Sequence, residues 1–584
     1  MTKKFLIKSL AGITGILVLF TVTGCAEGIL GSIDDLKEKA SGVVKVKSVS
    51  LDQHSLELAI EDEINLSAIV GPANATNKAA NWASSDSAVA AVTNGKVIAI
   101  SAGTAKITVT TSDGSYSDSC GVTVVNGYFV GNGDSASPYL IRTAAKLAKL
   151  SELIIDENAA YSGKHYRLMS NLDLSSYGES FNNGKGWIPI GPDTTNQFKG
   201  HFDGNGKTIS NLFINNIVYN VGLFGRVVGG TVTNLNLINV NVTGNSQVGG
   251  VTGYLRDGGT ISNCHVSGMV TSASGSVGGL AGGIGPSGSQ TDNSMVINCH
   301  TDVTVTCIGE YGSAGGVSSG INGSSMINCH ATGKVNGTYD VGGVVGYSTY
   351  STISNCYATG SVTATGANGN DSNAGGVVGS VFGDTISRCY ATGAVTGPEN
   401  NIGGFAGRIS YSSTTISDCY ATGAVSGGRY AGGLIGYIYT HPSYGGGSVY
   451  NCYASGEVSA ESYAGGVVGR VDESSSLSNC AALNLRIIRK SGSTDTTFGR
   501  VAGSVAGVGL LSNNYANHIM LVLGYSLPPV DPDRDKDKKH GADVSGFSSQ
   551  NWWKDSTAGP GFKFGTDDDN PWKMRYGLPV LYWQ

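Results

Sequence analysis

Eight cysteines recur at near-constant spacing across the middle of this chain, and that period governs what the chain can fold into. They stand in Asn263-Cys264-His265, Asn298-Cys299-His300, Asn328-Cys329-His330, Asn355-Cys356-Tyr357, Arg388-Cys389-Tyr390, Asp418-Cys419-Tyr420, Asn451-Cys452-Tyr453 and Asn479-Cys480-Ala481. Seven steps from Cys264 to Cys480 make the period about 31 residues. Each unit opens with a Gly-Gly-hydrophobic-x-Gly phrase, as in Val341-Gly342-Gly343-Val344-Val345-Gly346 or Ala431-Gly432-Gly433-Leu434-Ile435-Gly436. A fixed period of roughly 20–50 residues is the mark of a solenoid. The units show no 3.6-residue apolar stripe; short alternating runs such as Cys356-Tyr357-Ala358-Thr359 and Ser361-Val362-Thr363 read as strands.

One unit is therefore read as one coil of a parallel β-helix, built from roughly three short strands. Alternation points Ile353, Cys356, Ala358 and Val362 inward and Tyr357, Thr359 and Thr363 outward. Glycine pairs let the chain turn at corners that need positive φ. The residue before each cysteine, usually Asn, fits a bend whose side-chain amides stack as a ladder from coil to coil. Each coil buries its inner face only against its neighbours, so the array needs a cap at both ends. Eleven or so coils, each rising about 4.8 Å, span about 50 Å.

Composition supports this and removes other classes. Of 584 residues, 88 are Gly and only 14% are charged, with a net charge of −6. No excess of Lys and Arg exists to displace counterions from phosphates, so nucleic acid is not an expected partner. The glycines follow no three-residue period, which excludes collagen. With 40% hydrophobic residues and a small net charge, the chain can bury a core.

The repeats resemble the GLUG family, whose Gly-Leu-x-Gly phrase is matched by Gly222-Leu223-Phe224-Gly225, over about 198–517. Residues 126–197 look like the lead-in such proteins share, including Gly186-Trp187-Ile188-Pro189-Ile190-Gly191. There Leu147, Leu150, Leu153 and Ile154 lie at helical spacing, and the helix is expected to cover the first coil and shield its open edge. Residues 518–584 hold Trp552, Trp553, Trp572 and Trp583 and are read as the opposite cap. Some GLUG-bearing proteins are IgA-cleaving zinc metallopeptidases that need His-Glu-x-x-His on a helix. None of the nine histidines here precedes a Glu, so that activity is not supported.

Two other segments precede the array. Lys3, Lys4 and Lys8, the apolar run Leu10 to Val22, and Thr23-Gly24-Cys25 form an export signal. The last residues resemble the lipobox of bacterial lipoproteins, which implies cleavage within 1–25 and acylation of Cys25. The chain is then expected to be held at a membrane through Cys25, cell membrane or outer membrane, with its mass extracytoplasmic and surface exposed. Residues 26–44 read as a solvated tether. From 45 to 125, strands alternate with turns at sandwich spacing. The stretch Asn81-Trp82-Ala83-Ser84-Ser85-Asp86 with Gly95-Lys96-Val97 and Ala102-Gly103-Thr104-Ala105 resembles bacterial Ig-like domains of group 2. That resemblance implies Trp82 in the core, Gly95 and Gly103 in turns, and a spacer or adhesive role.

The fold expectation is thus all-β: an Ig-like β-sandwich, then a parallel β-helix with a helical N-cap and a Trp-rich C-terminal cap. The aligned cysteines are read as a buried thiol ladder. Strand spacing of about 4.8 Å holds neighbouring Cβ atoms beyond disulfide reach, and ligands strung along a line do not converge on zinc. No metal or other cofactor is expected. Asp531 to Asp537 lacks the glycine and final Glu of a calcium loop and reads as a charged excursion. The acids Asp257, Asp292, Asp340, Asp384 and Asp418 fall at different repeat offsets.

Two outward columns remain as binding candidates. The first runs His265, His300, His330, Tyr357, Tyr390, Tyr420 and Tyr453; the second follows the glycine phrase as Arg226, Tyr254, Tyr347, Arg408, Tyr437 and Arg470. Stacked rings stabilise neighbouring strands by themselves, yet they also offer flat apolar faces edged with hydroxyls, suited to sugars or a protein partner. The expectation is a non-catalytic adhesin-like surface protein whose tentative ligand residues are Tyr357, Tyr390, Tyr420, Tyr453, Tyr347, Tyr437 and Arg408, binding a host glycan or an extracellular protein. A polysaccharide-active β-helix enzyme and a passive stalk are the alternatives.

Overall fold

A computed structural model describes residues 42–156, 158–286, 291–366, 372–398, 401–411, 413–507, 510–522, 525–526 and 535–584. Cys25, the export signal and most of the tether lie outside the described residues, as does Asp531. The chain divides into two compact units, one up to Val130 and one from Gly131 onward.

The first unit is a β-sandwich. A four-stranded sheet holds Ser55–Ala59, Ser117–Val125, Gly103–Thr111 and Ala80–Ser84, and a three-stranded sheet holds Glu63–Asn65, Lys96–Ala99 and Ala90–Thr93. Alternation sends Leu58, Val97, Ile107, Val109 and Cys120 into one core, each fully buried. Trp82 is only half-buried, lying against that core and across Gly95, whose φ of 86° turns the hairpin between its flanking strands.

The second unit is a parallel β-helix. One coil, Asp340 to Ala364, contains the strands Asp340–Gly342, Val345–Thr349, Thr352–Ser354, Tyr357–Ala358 and Val362–Ala364. These are five short strands rather than three, because the chain bends at Gly343, Tyr350, Asn355 and Gly360. Parallel pairing with neighbouring coils turns them into four long sheets, of thirteen, twenty-two, ten and seven strands. The thirteen-stranded sheet already begins at Tyr139–Ile141 and His165–Leu168, so the lead-in region contributes coils of its own. Its twelve steps of about 4.8 Å span roughly 58 Å.

The expected inward positions of this coil are apolar and sealed: Ile353, Cys356, Ala358 and Val362 are at most 1% exposed. All ten described cysteines are free and buried. Each ladder thiol lies 3.0–3.3 Å from the carbonyl two residues earlier in the chain, which accepts its S–H. Burial pushes the thiols of Cys356, Cys452 and Cys480 well up, so these three stay protonated.

The residue before each cysteine sits in the left-handed region, φ 53–56°, in every coil from Asn263 to Asn479. Asn tolerates that conformation better than other residues with a side chain. Its amide also bridges the coils: Asn298 donates to Asn263 and Asn328 to Asn298, each at 3.1 Å. Where Arg388 and Asp418 replace Asn, the ladder continues through Arg388 to Asn355 and Asn451 to Asp418.

The helix Ala144–Asp156 buries Leu147, Leu150, Leu153 and Ile154. Its Ser151 hydroxyl donates to the Ile188 and Pro189 carbonyls, closing the first end. The other end departs from expectation. Leu521–Val522 pairs with Arg486–Arg489 and Ala542–Val544 with Tyr515–Asn517, both extending the stack, while the buried Arg500 guanidinium holds Asp543 and the His540 and Gly541 carbonyls. The tryptophan-rich remainder meets the last coil at its side, with Trp552 against the Tyr515 ring and the Gly559 carbonyl accepting from Asn513. It forms the helix Gln550–Lys554 and a sheet of Phe564–Asp567, Asn570–Arg575 and Leu578–Leu581, which packs on the side of the array.

Two outcomes follow from this packing. Asn298→Ala is expected to lower stability by about 2 kcal/mol, from left-handed strain plus a broken ladder bond, and Asn298→Gly by less; urea denaturation checks both. The described thiols are expected to be inert to Ellman's reagent in the native chain and to react only when guanidinium unfolds it.

Candidate functional site

The first ring column is one continuous stack. Successive centroids from His265 through His300, His330, Tyr357, Tyr390 and Tyr420 to Tyr453 are 4.1–5.0 Å apart, with interplanar angles falling to 3–5° among the tyrosines. Parallel strand register imposes that spacing. The rings do point away from the coil interior. They do not form the open strip expected from the sequence, because the C-terminal segment covers them: Tyr390 is 9% exposed, Tyr420 4% and Tyr453 1%.

Trp583 stands 5.9 and 5.7 Å from the Tyr357 and Tyr390 rings, and Trp572 6.3 and 6.1 Å from Tyr420 and Tyr453. The Tyr453 hydroxyl donates to the Pro579 carbonyl, the Gln584 amide donates to the Tyr420 hydroxyl, and the Trp572 indole donates to Asp418. The physical reason is that a row of apolar ring faces gains more by burial against tryptophan than by facing water. Tyr357 stays half-buried, as do the three histidines.

The second column lies on one flank of an elbow. In each coil the glycine phrase joins two strands so closely that a Cβ on Gly379 would meet the Val341 amide nitrogen at 2.6 Å. Glycine at that place lets the strands abut. The outward residues seven apart then face each other across the elbow: Asp340 and Tyr347, Asn373 and Ser380, Asn401 and Arg408, Tyr430 and Tyr437, Tyr463 and Arg470. Register stacks one flank as Asp340, Asn373, Asn401 and Tyr430, and the other as Tyr347, Ser380, Arg408, Tyr437 and Arg470. The flanks touch, since the Ser380 hydroxyl donates to Asp340 and the Tyr430 and Tyr437 rings stack at 4.7 Å.

Two halves of this elbow groove differ. Between Asp340 and Asn401 the floor is polar and buried: Asn373 donates to Asp340 at 2.8 Å, and Asn401 to Asn373 at 2.7 Å. Burial pushes the Asp340 carboxyl up to about 6, against the pull of its Ser380 and Asn373 hydrogen bonds. Beyond it the groove is aromatic and cationic. Arg470 lies 5.6–5.9 Å from the Tyr430, Tyr437 and Tyr463 centroids and pairs with Asp472 at 2.7 Å. Asp472 also accepts the Tyr437 hydroxyl at 2.5 Å. Arg408 lies over Tyr439 at 4.3 Å and Arg429 over Tyr430 at 4.9 Å. Beside them Tyr411 stacks on His441 and Tyr444.

Arg408 and Tyr437 therefore share one groove. Tyr347 stands in the same column with its ring against Gly320 and its hydroxyl accepting from Asn322. Tyr357, Tyr390, Tyr420 and Tyr453 belong to the ring stack instead. The sequence reading missed Tyr430, Tyr463 and Asn401, whose signal was a constant offset of seven residues from the second column. Among the described residues, no group of three or more His, Cys, Asp or Glu is placed to hold a metal ion.

Stacked imidazoles set a pH dependence. Burial first, and then His300, push His330 down to about 4; burial also lowers His300, with Asp302 opposing. Both changes favour the neutral ring in the fold. An unfolded histidine, near 6.5, then takes a proton first as pH falls, so this stability is complete above about pH 6.5 and lost toward pH 4. The melting temperature should drop between pH 7.5 and 4.5, and His300→Tyr with His330→Tyr should reduce that drop. Trp572→Ala, at a fully buried ring, should cost the C-terminal segment about 3–5 kcal/mol of docking. Limited proteolysis is then expected to clip residues 546–584 while the coils stay intact.

Comparison with known proteins agrees with the two units. Residues 45–122 match the bacterial Ig-like domain (group 2), and residues 244–271, 337–363, 370–396, 399–426 and 427–459 match the GLUG motif. Halomucin of Haloquadratum walsbyi is 38% identical over 133 residues, 22% of this chain and 1% of that protein. A putative Gly-rich membrane protein of Evansella cellulosilytica is 40% identical over 129 residues, 21% of this chain and 14% of that protein. An Ig-like virion protein of Serratia phage KSP90 is 38% identical over 113 residues, 19% of this chain and 42% of that protein. The chain thus spans less than half the length of each of these relatives. An IgA1 protease structure overlaps 73% of this chain and 25% of its own, at 14% identity and a TM-score of 0.28. The chain thus joins a segment that matches the bacterial Ig-like domain (group 2) to a series of segments that match the GLUG motif.

Proposed function

We propose that this protein is a non-catalytic, extracellular interaction module that binds its ligand in the aromatic half of the elbow groove. The single observation that carries this reading is the contrast between the two ring columns. In one column Tyr390, Tyr420 and Tyr453 are buried under the protein's own C-terminal segment, while Tyr437, Tyr439, Tyr463, Arg408 and Arg470 stay half-exposed along one groove. Half-exposed aromatic rings beside hydrogen-bonding side chains are the usual lining of a glycan or protein contact. Relatives named for a mucin, a membrane protein and a virion support an extracellular role for the shared modules. Among the described residues no helix is long and apolar enough to cross a membrane. Attachment through an acylated Cys25 is the proposed anchor, resting on the lipobox-like sequence before it.

The test is a binding screen of the mature chain against a glycan array and a panel of extracellular matrix proteins. Tyr437→Ala with Tyr463→Ala should weaken the strongest interaction at least tenfold while leaving the melting temperature of the array within a few degrees. Unchanged affinity in that folded double variant refutes the groove as the binding face.

A further inference from the structure

The arginines of the groove name the class of ligand. Although the whole chain carries a net charge of −6, Arg408, Arg429 and Arg470 converge on neighbouring coils. Asp472 neutralises Arg470. Among the described residues, Arg408 and Arg429 form no ion pair. The Arg408 Nε has no hydrogen-bond acceptor, and the Asn401 Oδ1 opposite it, in a residue 2% exposed, has no donor. The carboxylate that faces Arg408 from the other flank is Asp340, two coils away and already held by Asn373 and Ser380. One coil of the groove thus retains a cation and hydrogen-bonding atoms that the protein itself does not satisfy, flanked by the rings of Tyr437 and Tyr439.

We infer that the groove binds an acidic sugar chain, with Arg408 receiving a sugar carboxylate and the tyrosine rings receiving the sugar faces. This rests on the reading of the groove as the ligand face and goes further by naming what it selects. A planar guanidinium pairs with a carboxylate through parallel N–H donors. The Tyr437 and Tyr439 rings beside it supply flat apolar contact. The spacing favours a sugar over a peptide. Equivalent groove positions repeat every coil, about 4.8 Å, close to the length of one pyranose in an extended chain, whereas an extended peptide repeats its side chains on one face at about 6.7 Å.

The experiment measures binding of the mature chain to polygalacturonate, to the same polymer after carboxyl reduction, and to polyglutamate, by titration calorimetry at fixed ionic strength. Polygalacturonate should bind and the other two should bind at least tenfold more weakly. Arg408→Gln should lose roughly tenfold for polygalacturonate alone, Arg408→Lys should restore only part, and Arg256→Gln, outside the groove, should change nothing. Equal binding of the reduced polymer, or unchanged affinity in folded Arg408→Gln, overturns the acidic-sugar assignment and leaves the groove reading standing. Equal binding of polyglutamate overturns it in favour of an acidic protein partner. Failure of every glycan and matrix protein to bind overturns the groove reading as well.

Discussion

Backbone hydrogen bonding between consecutive coils is the constraint on which the rest of this structure depends. Parallel pairing sets each residue directly above its equivalent one period earlier, so a residue type repeated in sequence becomes a column in space. The columns then differ only by which way they face. Inward columns of Val, Ile and Cys seal the core, and a bend column of Asn in the left-handed region stitches the corner. Outward columns inherit the same vertical spacing whether or not function has any use for it.

That inheritance explains the ring stack. Seven aromatic side chains held 4.1–5.0 Å apart form a continuous apolar ridge on the array's side. The tryptophan-rich segment finds there the surface its own small sheet cannot supply. A three-stranded sheet with one short helix has too little interior to stand alone, and Trp553, Phe562 and Trp572 complete their burial against the tyrosines. The uncovered part of the ridge is the histidine part, where the imidazoles stack.

The elbow groove arises from the opposite circumstance. Its two flanks belong to different sheets brought together by glycines that admit no side chain, so the outward residues meet across a corner. Where small polar residues occupy it, they close over one another and become buried. Where Tyr and Arg occupy it, the side chains are too long to close, and the groove stays partly open with its cations only partly compensated.

The architecture was legible from the sequence because a one-dimensional repeat maps onto a one-dimensional stack. Period, inward alternation, the buried thiols and the Asn bends all follow from local rules applied once per coil. The five-strand coil was less legible: the bend at Gly360 recurs as Ala-Thr-Gly or Ala-Ser-Gly, but the bend at Tyr350 carries no distinctive residue pattern. Tertiary structure alone decided which outward columns remain available. The burial of Tyr390, Tyr420 and Tyr453 depends on contacts with Trp572 and Trp583, more than a hundred residues further on, and no periodicity encodes them. The meeting of Arg408 with the Tyr437 and Tyr439 side chains likewise depends on the angle between two sheets, which the backbone sets only once the glycines have let the strands meet.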